Sequence, residues 1–457
     1  MSKHLRVAIV GAGPAGIYAG NILHNKYPDV SIDLFDTLPA PYGLIRYGVA
    51  PDHPRIKGIV NSLHEMLDEG TIRFYGNVTF GTDITMADIR EHYHAVIFAT
   101  GAIKDAALNI PGIDLEGSYG AADFVNWYDG HPDVPRTWPL NAQQVAVLGN
   151  GNVALDVARV LAKQADDMLS TDIPANVYEG LAASPVTDVH VFGRRGPGQI
   201  KFTPIELREL GEQHEVDLVV YDEDFPSGWF NPEAEGITNQ HKVMARILES
   251  WRGRELTGAK RRLHLHFFSS PVEILGADGK VEGIRFERTE LIDGTENVRG
   301  TGNFVEFPVQ AVYRAIGYFG SELPEIPFND QRGVISNVEG RVVDESGAAI
   351  PGLYATGWIK RGPIGLIGHT KSDATETIEH LVSDVDNLAD PVHPEPGSLI
   401  AELDARGVKY TTWDGWLTLN EHEIALGASD TSHVERERVK VVDRDEQVTI
   451  ARTGVTV

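Results

Sequence analysis

Leu5-Arg6-Val7-Ala8-Ile9-Val10-Gly11-Ala12-Gly13-Pro14-Ala15-Gly16 is the stretch on which the fold turns. The first six residues have the length and near-continuous apolar character of a buried parallel strand. Glycines then fall at the spacing G-x-G-x-x-G, and Ile17 to Leu23 continue with helical character. In a strand–turn–helix unit of this kind Gly11 permits the tight turn and Gly13 lets a pyrophosphate approach the backbone. Gly16 lets helix pack closely on strand. The phosphate sits at the helix N-terminus, where free N–H groups and the helix dipole favour negative charge. A second strand, Ser31-Ile32-Asp33-Leu34-Phe35, ends in Asp36. An acid about 20 residues beyond the glycines is placed to accept hydrogen bonds from ribose hydroxyls, so this unit predicts an unphosphorylated ribose, that of FAD or NAD.

The same grammar recurs. Gln144-Val145-Ala146-Val147-Leu148 runs into Gly149-Asn150-Gly151-Asn152-Val153-Ala154, with alanine in the third glycine position, a replacement the fingerprint tolerates. The next strand, Val189 to Phe192, ends in Gly193-Arg194-Arg195-Gly196 instead of an acid. Paired guanidinium groups suit a 2′-phosphate, so this unit predicts NADP. Two sites with opposite ribose chemistry on one chain point to FAD plus NADPH.

Further strand-and-turn segments, Val96 to Gly101 and Ala311 to Gly317, mark where the chain leaves the first nucleotide domain and returns to it. Leu353 to Trp358 and the glycine-rich run Arg361 to Gly368 precede a helix at about Lys371 to Leu381, whose N-terminus suits a flavin edge that becomes negative on reduction. The predicted fold is α/β, with two Rossmann-like dinucleotide-binding domains and a small C-terminal appendage. The FAD domain (1–103 and 321–388) is interrupted by an inserted NADP domain (104–320), and the appendage is 389–457. Asp390-Pro391-Val392-His393-Pro394 reads as the linker into it. Ser398 to Gly407 suits a short helix, and Trp413 and Trp416 suggest a packed flap.

Composition narrows the function classes. The chain has 457 residues and no cysteine, which removes disulfides, thiolate metal sites, cysteine nucleophiles and a Cys-ligated iron–sulfur cluster of its own. Redox work therefore needs a bound organic cofactor or a partner. A formal charge of −26 argues against general nucleic-acid binding. No apolar run has membrane-spanning length, and the run after Met1 reads as a strand and not as a signal peptide, so a cytoplasmic location is expected.

These residues resemble the adrenodoxin reductase-like ferredoxin–NADP reductases, of the glutathione reductase structural class. The resemblance spans about residues 5 to 385. It rests on Pro41-Tyr42-Gly43-Leu44-Ile45-Arg46-Tyr47-Gly48-Val49-Ala50-Pro51-Asp52-His53-Pro54, on Gly149 to Arg159, and on Gly357-Trp358-Ile359-Lys360-Arg361-Gly362-Pro363. It implies that Ala15, Asp36, Leu44, Val78, Trp358, Gly365, Leu366 and Ile367 contact FAD. It likewise implies that Asn150, Gly151, Asn152, Val153, Arg194, Arg195, Glu206 and Gly365 contact NADP. The family often has Glu at the Asp36 position, a departure that keeps the charge. His53 is placed near the flavin by the same resemblance, and Glu209 follows Glu206 by one helical step. These two are the candidate catalytic groups, for proton delivery and nicotinamide positioning.

The implied activity is electron movement between NADPH and a ferredoxin-type iron–sulfur protein, by hydride transfer to flavin followed by single-electron transfer. An acidic partner requires a basic docking face, and Lys242, Arg246, Arg252 and Arg254 lie in the chain's most basic stretch, with Lys260, Arg261 and Arg262 following. Glu249 and Glu255 are the acids within it. A flavin monooxygenase is the rival enzyme, although Phe80 stands where its FxGxxxH pattern needs His after Phe74-Tyr75-Gly76. A nucleotide-binding protein without turnover is the rival from another class.

Overall fold

Leu5–Val10 is a strand buried at every position, and the helix that follows it is Pro14–Lys26. The structure, a computed structural model, describes residues 3–233, 236–292, 295–363, 367–432 and 434–454. Contacts group Met1–Lys104, Asp129–Asp133 and Tyr318–Val457 into one compact unit, and Asp105–Tyr128 and Val134–Gly317 into a second. Residues 389–457, expected as an appendage, lie within the first unit.

In the first unit the sheet runs in the order Asn337–Val338, Arg341–Val343, Ala349–Ala355, Ala95–Phe98, Leu5–Val10, Val30–Phe35, Ile72–Gly76, Thr411–Thr412. The central strands are parallel, and the edge pairings are antiparallel. Both faces are covered, as a parallel sheet requires. One core gathers Val7, Ile9 and Ile97 with Ile17 and Leu23 of the first helix and Ala374, Ile378 and Leu381 of helix Ile367–Asp384. Trp416, Leu419, Val441 and Ile450 from the C-terminal segment join that same core. The opposite face packs Ala8, Val10, Phe80 and Phe98 with Leu399 and Leu403 of helix Ser398–Arg406.

The second unit holds a wholly parallel sheet in the order Ser118–Gly120, Ala311–Arg314, Gln144–Leu148, Asp188–Phe192, Arg261–His266, Val216–Val220. Helix Asn152–Ala162 follows the glycine turn and is buried from Ala154 to Ala162. A three-stranded antiparallel sheet, Ser269–Ala277, Lys280–Leu291 and Val298–Phe307, supplies Ile274, Ile284 and Phe286 to a core with Ala146, Leu148 and Phe192.

Candidate functional site

The first glycine turn is built by close approach. A Cβ on Gly11 (φ +111°) would come 2.4 Å from the Ala99 carbonyl oxygen, and one on Gly16 would come 2.0 Å from that of Gly11. No larger residue fits either place. Asp36 follows its strand, buried, with one carboxylate oxygen accepting from Ala12 N at 2.6 Å and the other from Leu38 N at 2.8 Å. Burial pushes its carboxyl up to about 6, against the lowering effect of those two donors. The acid therefore reaches into the glycine turn, with lone pairs left over for ribose hydroxyls. Val78 is buried beside it, its N–H donating to the Asp36 carbonyl at 2.9 Å.

Two further turns lie beside this one. The segment carrying Leu44 is anchored by Tyr42 N, which donates to the Ala12 carbonyl at 2.8 Å. Gly43 comes so near that a Cβ on it would lie 3.0 Å from Gly13 Cα. Gly357 abuts Ala15, whose Cβ would be 2.6 Å from an added methyl. The turn that carries Trp358 is held by Asp373, which accepts from Gly357 N at 2.5 Å and Thr356 Oγ1 at 3.1 Å and pairs with Lys360 and Arg361 at 3.2 and 2.9 Å. Sequence reasoning missed Asp373, because nothing about an acid one helix later marks it as the anchor of a turn. Ala15, Leu44 and Trp358 are thus brought around the first glycine turn, each half-buried. Gly365 and Leu366 lie outside the described residues, as does the side chain of Ile367. Thr100 Oγ1, in the turn after the strand Ala95–Phe98, is buried with no hydrogen-bond partner among the described residues, a polar group left for a ligand.

The second glycine turn repeats the close approach, since a Cβ on Gly149 would lie 2.2 Å from the Ala315 carbonyl oxygen. Ala154 replaces the third glycine without strain and is fully buried. A Cβ on Gly151 meets nothing within 4 Å, so the turn is open where a pyrophosphate would lie. Asn150 Nδ2 and Arg195 Nε are buried with no hydrogen-bond partner among the described residues. Asn152 Oδ1 accepts from Thr203 N at 3.3 Å, which ties this turn to helix Pro204–Gly211. Arg194 is exposed, and its carbonyl accepts from Thr289 Oγ1 at 2.6 Å. Arg195 NH1 lies 3.9 Å from the carboxylate of exposed Glu296. These orphaned donors fit an anionic nucleotide.

His53 is buried and caps the short helix Pro54–Lys57 with its carbonyl, which accepts from Ile56 N and Lys57 N. Glu206 is buried on helix Pro204–Gly211, 3.7 Å from Arg159, and Glu209 is half-buried one step further on.

The basic stretch is less bare than its sequence implies, because acids distant in the chain fold against it. Arg252 pairs with Asp222 at 3.1 Å as well as with Glu249 at 3.0 Å, and Lys242 lies 3.6 Å from Glu233. Arg262 pairs with Asp188 at 2.6 Å. Arg246 and Arg254 are exposed, and no ion pair joins either among the described residues.

Sequence reasoning also missed His190, His264 and His266, whose ring nitrogens lie within 4.8 Å of one another on the second sheet. The rings stack nearly parallel, His190 on His264 at 4.3 Å and 15°. His264 has both nitrogens engaged, Nε2 with Asp188 at 2.9 Å and Nδ1 with the Tyr221 hydroxyl at 2.8 Å. Parallel rings direct their in-plane lone pairs along parallel planes, so the three form a stacked ladder, with one hydrogen bond between His190 Nδ1 and His266 Nε2 at 3.0 Å, and do not converge on one cation.

With this geometry in place the comparisons decide the family. The pyridine nucleotide-disulphide oxidoreductase model matches residues 5–191. The chain is 39% identical over 436 residues to the NADPH-ferredoxin reductase FprA of Mycobacterium tuberculosis, covering 92% of this chain and 94% of that one. It is also 36% identical to the mitochondrial NADPH:adrenodoxin oxidoreductase of Homo sapiens, covering 98% and 92% of the two chains. The chain belongs to the ferredoxin–NADP reductases of the adrenodoxin reductase type. It is an oxidoreductase of that family. The solved structure of Mycobacterium tuberculosis FprA in complex with NADPH superposes with a TM-score of 0.90, at 38% identity, over 98% of this chain and 100% of that one. With no cysteine, this reductase lacks the redox pair that the broader family is named for.

Proposed function

We propose that this reductase moves electrons between NADPH and a ferredoxin-type iron–sulfur protein through bound FAD. The observation that carries the reading is the pair of glycine turns with opposite ribose partners, Asp36 at one and Arg194 with Arg195 at the other. When bound, FAD supplies the exchange between a two-electron donor and a one-electron acceptor. The chain's own residues bind and orient. Gly11, Gly13 and Gly16 admit the flavin pyrophosphate, Asp36 its ribose, and Ala15, Leu44, Val78 and Trp358 line the flavin. Gly365, Leu366 and Ile367 belong to the same proposal by resemblance.

Gly149, Asn150, Gly151, Asn152 and Val153 present the second turn to the pyridine nucleotide, and Arg194 and Arg195 select its 2′-phosphate. Glu206 joins them by resemblance. His53 and Glu209 are proposed for proton delivery and nicotinamide positioning. Among the cations proposed for docking, Arg246 and Arg254 carry the unneutralised charge, and Lys242 and Arg252 flank them. Phe80, where the monooxygenase pattern needs His, is a core residue packed on Phe98 at 5.3 Å, which favours the reductase reading.

Among the described residues no helix is long and apolar enough to cross a membrane. The compartment proposed is the cytoplasm; a relative is named mitochondrial, and fractionation of the source cells decides between them. The experiment is anaerobic stopped-flow mixing with NADPH and, separately, NADH, followed at the flavin band and then with a ferredoxin as acceptor. Fast bleaching that prefers NADPH, followed by ferredoxin reduction, is expected. Flavin that stays oxidised with either nucleotide refutes the enzyme reading. Charge reversal at Arg246 and Arg254 should flatten the salt dependence of ferredoxin reduction.

A further inference from the structure

The C-terminal segment carries no motif, yet it closes on one end of the flavin turn. Tyr42 (φ 83°) and Gly43 (φ 50°) are consecutive residues in the left-handed region, and Tyr42 adopts it without being glycine. Such a conformation persists only where the surroundings hold it. Besides Tyr42 N on the Ala12 carbonyl and the Tyr42 hydroxyl on His64 Nδ1 at 3.2 Å, what holds it comes from helix Trp413–Ser429 and the chain after it. Trp416 meets the Tyr42 ring edge to face, with centroids 5.7 Å apart, and lies under the Arg46 guanidinium at 5.0 Å. Arg46 is buried and forks onto Glu423, NH1 to Oε2 at 3.0 Å and NH2 to Oε1 at 2.5 Å.

Glu423 is itself fully buried. Its Oε1 also accepts from Val441 N at 3.0 Å, and Arg438 lies 3.8 Å from its Oε2. On the other side of the turn Lys440 Nζ donates to the Arg46 carbonyl at 2.9 Å and to the Asp129 carbonyl at 3.0 Å. Arg46 is therefore gripped at both its guanidinium and its backbone by one segment. A buried ion pair is a costly way to add stability, since apolar residues of similar size often do as well. Its planar fork does fix one geometry, which apolar packing does not.

We propose that Glu423 is a positioning residue for the flavin, acting through Arg46 to hold the turn Tyr42–Tyr47 against the first glycine turn. This rests on the reading that the turn contacts FAD through Leu44. Residues 413–441 then set how tightly the flavin is held and in what environment. With the fork broken, the Arg46 charge is left buried without its counter-ion, and the turn relaxes away from Gly13. Part of the ordering of the turn must then be supplied by FAD itself, which weakens apparent affinity.

The test uses the full-length holoenzyme with Glu423→Gln, which keeps shape and one acceptor while removing the charge. The readings are the FAD dissociation constant, the flavin midpoint potential and the melting temperature. An increase of about tenfold or more in the dissociation constant is expected, equivalent to ~1.4 kcal/mol, together with a shifted potential. Asp88→Asn, which breaks the pair with Arg406 at 2.6 Å elsewhere in the same unit, should lower the melting temperature alone. If Glu423→Gln behaves like Asp88→Asn, with affinity and potential unchanged, the proposal is overturned. Should Glu423→Gln fail to fold, Lys440→Met releases the Arg46 carbonyl and is judged by the same readings. Leu44→Ala separates the two levels. If it leaves affinity and potential unmoved, the flavin reading of the turn has failed. If it moves them and neither Glu423→Gln nor Lys440→Met does, the positioning role alone has failed.

Discussion

Acid should weaken the nucleotide unit through the histidine ladder, and replacing His190 should remove part of that sensitivity. The hydrogen bonds fix each proton. The Gln144 amide nitrogen donates to Asp188 Oδ2 at 2.7 Å, so its oxygen receives the proton of His190 Nε2 at 3.0 Å. His190 Nδ1 must then accept from His266 Nε2, also at 3.0 Å. A proton added to His190 Nδ1 meets the proton on His266 Nε2, and although Asp188 favours the charge, three rings share one face of the sheet. Burial, together with the neighbouring His264 and Arg262, pushes His190 down to about 3. His264 and His266 are lowered as well, chiefly by burial. The unfolded chain binds these protons from about pH 6.5 downward, while the folded chain refuses one at His190 until about pH 3. The His190 contribution to stability is therefore fully present above pH 6.5 and lost as pH falls through that window. At pH 5 His190 alone accounts for a loss of ~2 kcal/mol, growing by about 1.4 kcal/mol per further pH unit. The ion pair of Asp188, whose carboxyl is held low by Arg262 and His264 against its burial, is lost only below the ordinary Asp range; Asp36 and Asp105, pushed up to about 6, and His131, pushed down to about 4, also titrate between pH 7 and 5, so the difference between wild type and a His190 variant isolates the ring. The assay is denaturant unfolding of the full chain at pH 7, 6 and 5 and constant ionic strength. His190→Leu should be less stable at pH 7 by roughly 2–5 kcal/mol, for the unpaired Gln144 oxygen and His266 N–H. Its loss between pH 7 and 5 should be smaller than the wild type's by ~2 kcal/mol. Equal losses in the two proteins would refute the reasoning.

Three shorter predictions concern the nucleotide sites. Arg195→Gln removes a charge-assisted contact worth ~1.5–3 kcal/mol, so KM for NADPH should rise about 10- to 150-fold with kcat and the NADH reaction little changed; an equal effect on both nucleotides would deny it a role in 2′-phosphate selection. Asp36 holds its proton to about pH 6 in the folded chain, so its own contribution to apo-protein stability is greatest below the ordinary Asp value and falls by ~3 kcal/mol as pH rises from there through 6, opposite in sign to that of His190. Asp36→Asn should flatten that fall while weakening FAD binding, both read from apo-protein melting and flavin titration. His53→Ala should alter the pH profile of flavin reduction by NADPH in single-turnover mixing, and an unchanged rate and profile would leave His53 a structural residue.

Both glycine turns were legible in the sequence for a steric reason: no side chain fits where Gly11 meets Ala99, Gly16 meets Gly11 or Gly149 meets Ala315. Where sterics allow only one residue type, a local pattern reports three-dimensional structure. The strand Gln144–Leu148 and helix Ser398–Arg406 were likewise readable from short-range periodicity and flanking glycines. The basic stretch was read less completely. Asp222 and Asp188 approach Arg252 and Arg262 only after the sheet has formed, and no window around residue 250 contains them.

Helix Trp413–Ser429 shows most sharply where sequence reasoning stops. Its buried positions are Gly415, Trp416, Leu419, Glu423 and Gly427, an i,i+4 stripe with a carboxylate in the middle. That acid breaks the apolar pattern by which a buried face is recognised, so the stripe reads as polar surface. The glycines have their own reason: Cβ atoms there would come 2.6 Å from the Ala451 carbonyl oxygen and 2.7 Å from Arg438 Cα. The following chain can therefore lie directly on the helix, and that closeness brings Val441 N and Arg438 to the Glu423 carboxylate. The counter-ion, Arg46, is 377 residues away, inside a segment quoted above for the family resemblance. A charge inside a helix's buried stripe predicts a buried partner, because an unpaired ion there would cost several kcal/mol. Applied to residues 415–427, that rule asks for a cation elsewhere in the chain, and the rigid turn beside the first glycine fingerprint is where the fold provides it.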